Sequence, residues 1–266
     1  MFSEPVPSKW VLITGASYGI GEAFAKRFAR EKYNLILVAR SAERLNELAK
    51  TLTQGHSIET FVVASDLTDR LGPRMVYDEV ARKGIVIAGL INNAGFGGGR
   101  KFPESELDLY LRMIDLNIRA VVELTHLFIV DMIKRKNGFI INVSSTASYQ
   151  PLPCSAVYAA SKSFVTSFTE ALWLETKGTG VRVLNLCPGL TKTDFGIRAK
   201  LRDFHKDPFA EEPKEVVETA FRGLGRNTPT VISGFRNRLI VLFMRLLPHR
   251  FLLWLVFVFQ NTRRRV

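Results

Sequence analysis

Short apolar runs and longer amphipathic stretches alternate along the chain. Trp10–Thr14 is a run of strand length, and apolar positions then recur at helical spacing over about Gly19–Glu31. The pattern repeats. Strands are predicted at Leu35–Ala39, Ile58–Ala64, Val86–Ile91, Phe139–Val143 and Val181–Leu186, with a short seventh at Pro229–Ile232. Helices are predicted over Ala42–Leu52, from a cap at Thr68 to Lys83, over about Glu106–Arg135, and through Tyr158 to about Thr176. Runs such as Leu35-Ile36-Leu37-Val38 have no polar alternate positions, so both faces of those strands must be covered, as in a parallel sheet. The expected fold is α/β: a doubly wound (Rossmann) parallel sheet of seven strands with helices on both faces. Ligands of such a sheet bind at the carboxyl ends of its strands. No internal repeat, low-complexity tract or long linker divides residues 1–234, read as one catalytic domain, and residues 235–266 form a C-terminal helical extension.

Composition agrees with one large core, since 47% of the 266 residues are hydrophobic. Cys154 and Cys187 are too few for a disulfide framework, and Met1–Pro5 lacks a basic segment followed by an apolar run. A reducing, cytoplasmic setting is expected. The histidines His56, His126, His205 and His249 do not cluster, so no metal site is expected. The net charge of +12 is uneven: residues 196–266 hold 14 Lys/Arg against 6 Asp/Glu, and from Arg236 onward there are seven arginines and no acid. Basic charge mixed with apolar residues at one end favours an anionic membrane surface over nucleic acid.

The first strand runs into Thr14-Gly15-Ala16-Ser17-Tyr18-Gly19-Ile20-Gly21. Glycines allow a tight turn and close approach of backbone to a pyrophosphate, and the next helix aims its N-terminal N–H groups at it. The spacing Gly-x-x-x-Gly-x-Gly differs from the Gly-x-Gly-x-x-Gly dinucleotide fingerprint. The second strand ends in Ala39-Arg40. A carboxylate there would bind the ribose hydroxyl of NAD; Ala39 supplies none, and Arg40 supplies a cation for a 2′-phosphate, so NADP(H) is the expected cofactor. The competing reading of Arg40 is a solvated loop residue.

Tyr158 and Lys162, one helical turn apart, would project from one face. A neighbouring ammonium lowers the pKa of a phenol and makes it a usable acid or base near neutrality. With them, the chain resembles a single-domain short-chain dehydrogenase/reductase from residue 9 to about 234. Thr14–Gly21 resembles that family's cofactor turn, Asp66-Leu67 its adenine-contacting pair, and Asn92-Asn93-Ala94-Gly95 the segment beside the cofactor. Asn117 matches the family's active-site asparagine. Ser145 stands thirteen residues before Tyr158, the family's serine-to-tyrosine spacing, which favours it over adjacent Ser144. Pro188-Gly189, with Thr191 and Thr193, resembles the segment that meets the nicotinamide.

The resemblance implies hydride transfer between nicotinamide and a carbonyl or alcohol. In that reading Tyr158 passes the proton, Ser145 hydrogen-bonds the substrate oxygen, Lys162 lowers the phenol pKa and holds the nicotinamide ribose, and Asn117 holds a water behind it. A homo-oligomer, through Glu106–Arg135 and the helix after Tyr158, is implied as well. The alternative class is a cofactor-sensing or membrane-surface interaction protein on the same fold. Phe96, Tyr149, Leu152, Val157, Phe195, Ile197, Leu201, Phe204 and Phe209 suggest a lipophilic substrate of ketosteroid, retinoid or 3-oxoacyl type. Gly97-Gly98-Gly99 suggests a mobile loop beside the site. In the tail, Phe251–Phe259 is too short to span a bilayer, and Arg245, Pro248 and Arg250 interrupt a longer span. The segment 236–266 therefore lies on a membrane surface, covers the pocket or a partner, or packs on its own domain.

Overall fold

The computed structural model describes residues 10–201 and 203–263, with side-chain surroundings as far as Val258. Its described strands form one parallel sheet in the order β3-β2-β1-β4-β5-β6-β7. These are β1 Trp10–Thr14, β2 Asn34–Ala39, β3 Thr60–Ala64, β4 Ile87–Asn92, β5 Gly138–Val143, β6 Val181–Cys187 and β7 Thr230–Ile232. Alternate residues of each central strand feed two separate cores. Val11 and Ile13 pack with Phe24, Phe28 and Val216 on one face, while Leu12 packs with Val76, Leu124 and Met132 on the other. Helices α1 (Gly19–Arg30), α2 (Ala42–His56) and α8 (Pro213–Gly225) cover the first face. Helices α3 (Gly72–Arg82) and α5 (Ala120–Lys134) cover the second, and α6 (Ala156–Glu175) also packs against β5 and β6.

Most boundaries fall within a few residues of expectation, and two departures are instructive. Thr68 does not cap α3. Its N–H and hydroxyl both donate to Asp66 Oδ1, closing a turn, and the helix begins at Gly72, with Pro73 in its first turn. The helix expected over 106–135 runs as α4 (Leu107–Ile114), a π turn (Asp115–Arg119) and α5. That one wide turn carries Asn117, and π turns inside α-helices recur where a residue must be aimed inward.

Three asparagines stand at one level of the sheet: Asn92 pairs with Asn142, and Asn142 with Asn185, across β4, β5 and β6. All three are buried. Asn92 Nδ2 donates to Asn142 Oδ1 (2.8 Å) and Asn142 Nδ2 to Thr169 on α6 (3.0 Å), so the polar row ties the sheet to that helix. Immediately beyond it the three strands release Asn93, Ser144-Ser145 and Pro188-Gly189.

After β6 the chain passes through α7 (Phe195–Arg198) and α8 to β7, then forms α9 (Phe235–Leu246) and α10 (His249–Arg263). No described helix is long and apolar enough to cross a membrane.

Candidate active site

A cleft of about 1530 Å³ follows the carboxyl ends of the strands. At one end β1 turns into α1 through Gly15 and Gly19, both with positive φ (65° and 55°). No side chain fits beneath this turn. A Cβ on Gly21 would lie 2.1 Å from the Gly15 carbonyl oxygen, and one on Gly19 would lie 2.6 Å from Thr193 Cγ2. Asn93 Nδ2 donates to the carbonyls of Thr14 and Gly15, and the Thr14 hydroxyl accepts from the N–H groups of Asn93 and Ala94. The turn is therefore sewn to the end of β4. Ser17, Tyr18, Ile20, Arg40, Leu67, Ala94 and Gly95 line the cleft with it, whereas Gly21 lies behind the wall.

Arg40 is exposed at the rim. Burial favours the neutral form of nearby Asp66, but the Thr68 N–H and hydroxyl, with Arg40 and Arg112, hold its carboxyl below the usual range. Arg112 reaches Asp66 Oδ2 at 3.5 Å from α4. The Tyr18 ring is sandwiched between the guanidinium groups of Arg44 (4.0 Å to the centroid) and Arg198 (3.9 Å). Neither arginine was singled out from sequence; their partners lie far away along the chain.

Ser145, Tyr158 and Lys162 meet at the middle of the cleft. Ser145 follows β5 and accepts from Ala147 N–H at 3.1 Å, with its hydroxyl beside the Tyr158 phenol. Ser144 is buried beside it, its hydroxyl held by the Lys162 carbonyl and Thr166 (both 2.8 Å). Lys162 Nζ donates to the Val143 carbonyl at 2.8 Å. The expected pKa relationship is reversed. Desolvation pushes the Tyr158 phenol up to about 12, with the Ser145 hydroxyl opposing it, and desolvation pulls Lys162 down to about 8. The lysine charge is directed at a strand carbonyl rather than at the phenol oxygen.

Asn117 does not line the cleft. Its side chain is buried, with Oδ1 accepting from Phe96 N–H (3.2 Å) and Nδ2 donating to the Phe96 carbonyl and Ser161 Oγ (both 3.0 Å). It fixes the strand-four loop against α6. Two glycines of the run that follows Phe96, Gly97 and Gly99, are closely packed. A Cβ on Gly97 would lie 3.2 Å from the Tyr158 ring, one on Gly99 would lie 2.5 Å from Leu201, and Ser155 Oγ donates to the Gly98 carbonyl.

Pro188, Gly189, Thr191 and Thr193 also line the cleft, Thr193 standing directly against Gly19 of the turn. Of the expected substrate wall, Phe96, Leu152, Phe195, Leu201 and Phe204 reach the cleft. Tyr149 instead faces Cys187 (3.7 Å) with the Arg245 guanidinium over its ring, and Ile197 and Phe209 are exposed. Of the three readings of the C-terminal segment, covering the pocket applies to α9, which adds Asn237, Ile240, Val241 and Met244 to the same wall, residues that the sequence did not single out. Among the described residues no cluster of His, Cys, Asp or Glu could hold a metal ion.

The arrangement has close counterparts. The model of the short chain dehydrogenase family matches residues 9–203. Sulfoacetaldehyde reductase 2 of Chromohalobacter salexigens is 38% identical over 220 residues, 79% of this chain and 86% of the relative. The very-long-chain 3-oxoacyl-CoA reductase of Anas platyrhynchos is 31% identical over 262 residues, 95% of this chain and 76% of the relative. Among solved structures, a short-chain dehydrogenase from Sphingobium yanoikuyae in complex with NADPH superposes with a TM-score of 0.79 at 33% identity, covering 84% of this chain and 86% of that one. The chain belongs to the short-chain dehydrogenase/reductase family of nicotinamide-dependent oxidoreductases.

Proposed function

We propose that this protein is an NADP(H)-dependent reductase of lipophilic carbonyl compounds. The observation that carries the reading is the convergence of Ser145, Tyr158 and Lys162 on one cleft whose far wall is apolar. The glycine turn supports a dinucleotide there, because its backbone is bare where a Cβ would collide. The residues that would hold the cofactor are Gly15, Ser17, Tyr18, Gly19 and Ile20 at the pyrophosphate, Arg40 at a 2′-phosphate, and Asp66 with Leu67 at the adenine. Asn93 to Gly95, Lys162 and Pro188 to Thr193 would hold the nicotinamide end. When bound, the nicotinamide supplies the hydride.

The chain's own residues do the rest. A carbonyl oxygen seated between Ser145 Oγ and the Tyr158 phenol gains negative charge as carbon is reduced. Ser145 stabilises that charge by a hydrogen bond and Tyr158 delivers its proton. Burial raises the Tyr158 phenol above its ordinary value, so it holds the proton that it would deliver at neutral pH. Asn117 supports the site by positioning Phe96 and Ser161.

Phe96, Leu109, Leu152, Leu201, Phe204 and Met244 support an extended apolar substrate, as does the similarity to a very-long-chain 3-oxoacyl-CoA reductase. Exposed Leu107 and Leu111 on α4 and Phe164 on α6 support the expectation of a homo-oligomer. NADPH consumption over a series of 3-oxoacyl thioesters tests the substrate class. Each further methylene buried should raise kcat/KM roughly fourfold until the wall is filled, from about 0.8 kcal/mol per CH2. No dependence on chain length would remove the lipophilic reading. Tyr158→Phe should lower kcat by roughly 10²–10⁴-fold while NADPH affinity stays within a few-fold.

A further inference from the structure

The helix α9 has two faces with different uses. Asn237, Ile240, Val241 and Met244, spaced i, i+3, i+4 and i+7, line the cleft. Half a turn away, Phe235, Leu239, Leu242 and Leu246 form a second apolar stripe that is exposed along its whole length, Phe235 to 71% and Leu246 to 74%. Arg236 flanks this stripe on one side and Arg238 and Arg245 on the other, all exposed. The helix is fixed to the domain at its start: Asn237 Nδ2 donates to the Ser233 carbonyl (2.8 Å) and Glu211 (3.2 Å), and Arg238 Nε to the Ile232 carbonyl (2.9 Å). In α10 the same division recurs, with Leu252 buried and Trp254 and Phe257 exposed to 55% and 62%.

An exposed apolar surface of this extent marks an interaction site. Its charge decides what it meets. Every Lys, Arg, Asp or Glu from Arg236 onward is an arginine, seven in all, so a second copy of the same face would set arginine against arginine. A surface with anionic headgroups above an apolar layer complements both features, since arginines beside a buried stripe hold their guanidinium groups at headgroup level. We propose that α9 and α10 seat the protein on an anionic lipid bilayer, lying in its interface, with α9 as a wall shared by the membrane and the substrate cleft. The seat does not depend on the substrate class proposed above.

The experiment is flotation of the full chain with phosphatidylcholine vesicles, with and without phosphatidylserine, alongside light scattering without lipid. The wild-type protein should float with the anionic vesicles, more weakly with the neutral ones, and less in high salt. The double variant Leu242→Glu/Trp254→Glu changes only outward positions. It should lose roughly tenfold or more in partitioning for each side chain while retaining NADPH binding as proof of folding. Equal partitioning of wild type and variant, or no flotation of either, overturns the proposal. So does a dimer in light scattering that the variant splits, which would assign the face to a second copy. Since flotation requires no turnover, its outcome is separate from that of the thioester series.

Discussion

The Lys162 ammonium lies 5.9 Å from the centroid of the Tyr158 ring and spends its hydrogen bond on the Val143 carbonyl, 2.8 Å away. Spacing of one helical turn places both side chains on one face, but their polar atoms diverge: the phenol turns to Ser145 and the ammonium to the end of β5. Desolvation then acts on each in the direction of its neutral form, raising the phenol and lowering the amine.

A pH dependence follows from this. Lys162 is charged below about 8 and neutral above it, while Tyr158 keeps its proton to about 12. If the charged lysine grips the cofactor, kcat/KM for carbonyl reduction should be constant below about pH 8 and fall tenfold per unit above it, since that ratio reports the free enzyme. Lys162→Arg, whose charge persists, should move the fall upward. Initial rates across pH at low NADPH make the measurement, and a profile that rises through pH 8 would contradict it.

Asn117 and Phe96 are joined by two hydrogen bonds running in opposite senses, 3.2 and 3.0 Å. Asn117→Leu keeps the volume and leaves both backbone groups of half-buried Phe96 unpaired. An expected loss of about 1–3 kcal/mol follows from the cost of unsatisfied buried groups, readable in urea unfolding. Because Phe96 lies in the cleft wall, kcat should fall with little change in NADPH affinity.

The sheet and its order of motifs were legible because the strands are covered on both faces and read as unbroken apolar runs. Counting to Tyr158 favours Ser145 over Ser144, though both border the cleft. Other features depend on contacts between distant parts of the chain. Asn142 and Asn185 interrupt apolar strands and look like blemishes until the register sets them beside Asn92. Arg44 and Arg198 are ordinary surface arginines until folding brings both onto Tyr18. The tail's charge was evident and covering the pocket was one of its readings, but not which stripe of α9 enters the cleft, because both stripes are apolar and only packing distinguishes them.

Arg40 offers the sharpest test of cofactor choice. It stands at the end of β2 beside Ala39, where a carboxylate would accept from the ribose hydroxyls of NAD. A charged hydrogen bond to a 2′-phosphate contributes about 1.5–3 kcal/mol, so Arg40→Leu should lower kcat/KM with NADPH by roughly 10–150-fold and leave NADH nearly unchanged. The local structure should survive, since Asp66 keeps its bonds from Thr68 and its ion pair with Arg112. Adding Ala39→Asp supplies an acceptor for the unphosphorylated ribose and repels the phosphate, so the double variant should prefer NADH. Steady-state rates with both cofactors at a fixed carbonyl substrate decide the matter. An unchanged NADPH-to-NADH ratio in Arg40→Leu would return Arg40 to the solvated rim.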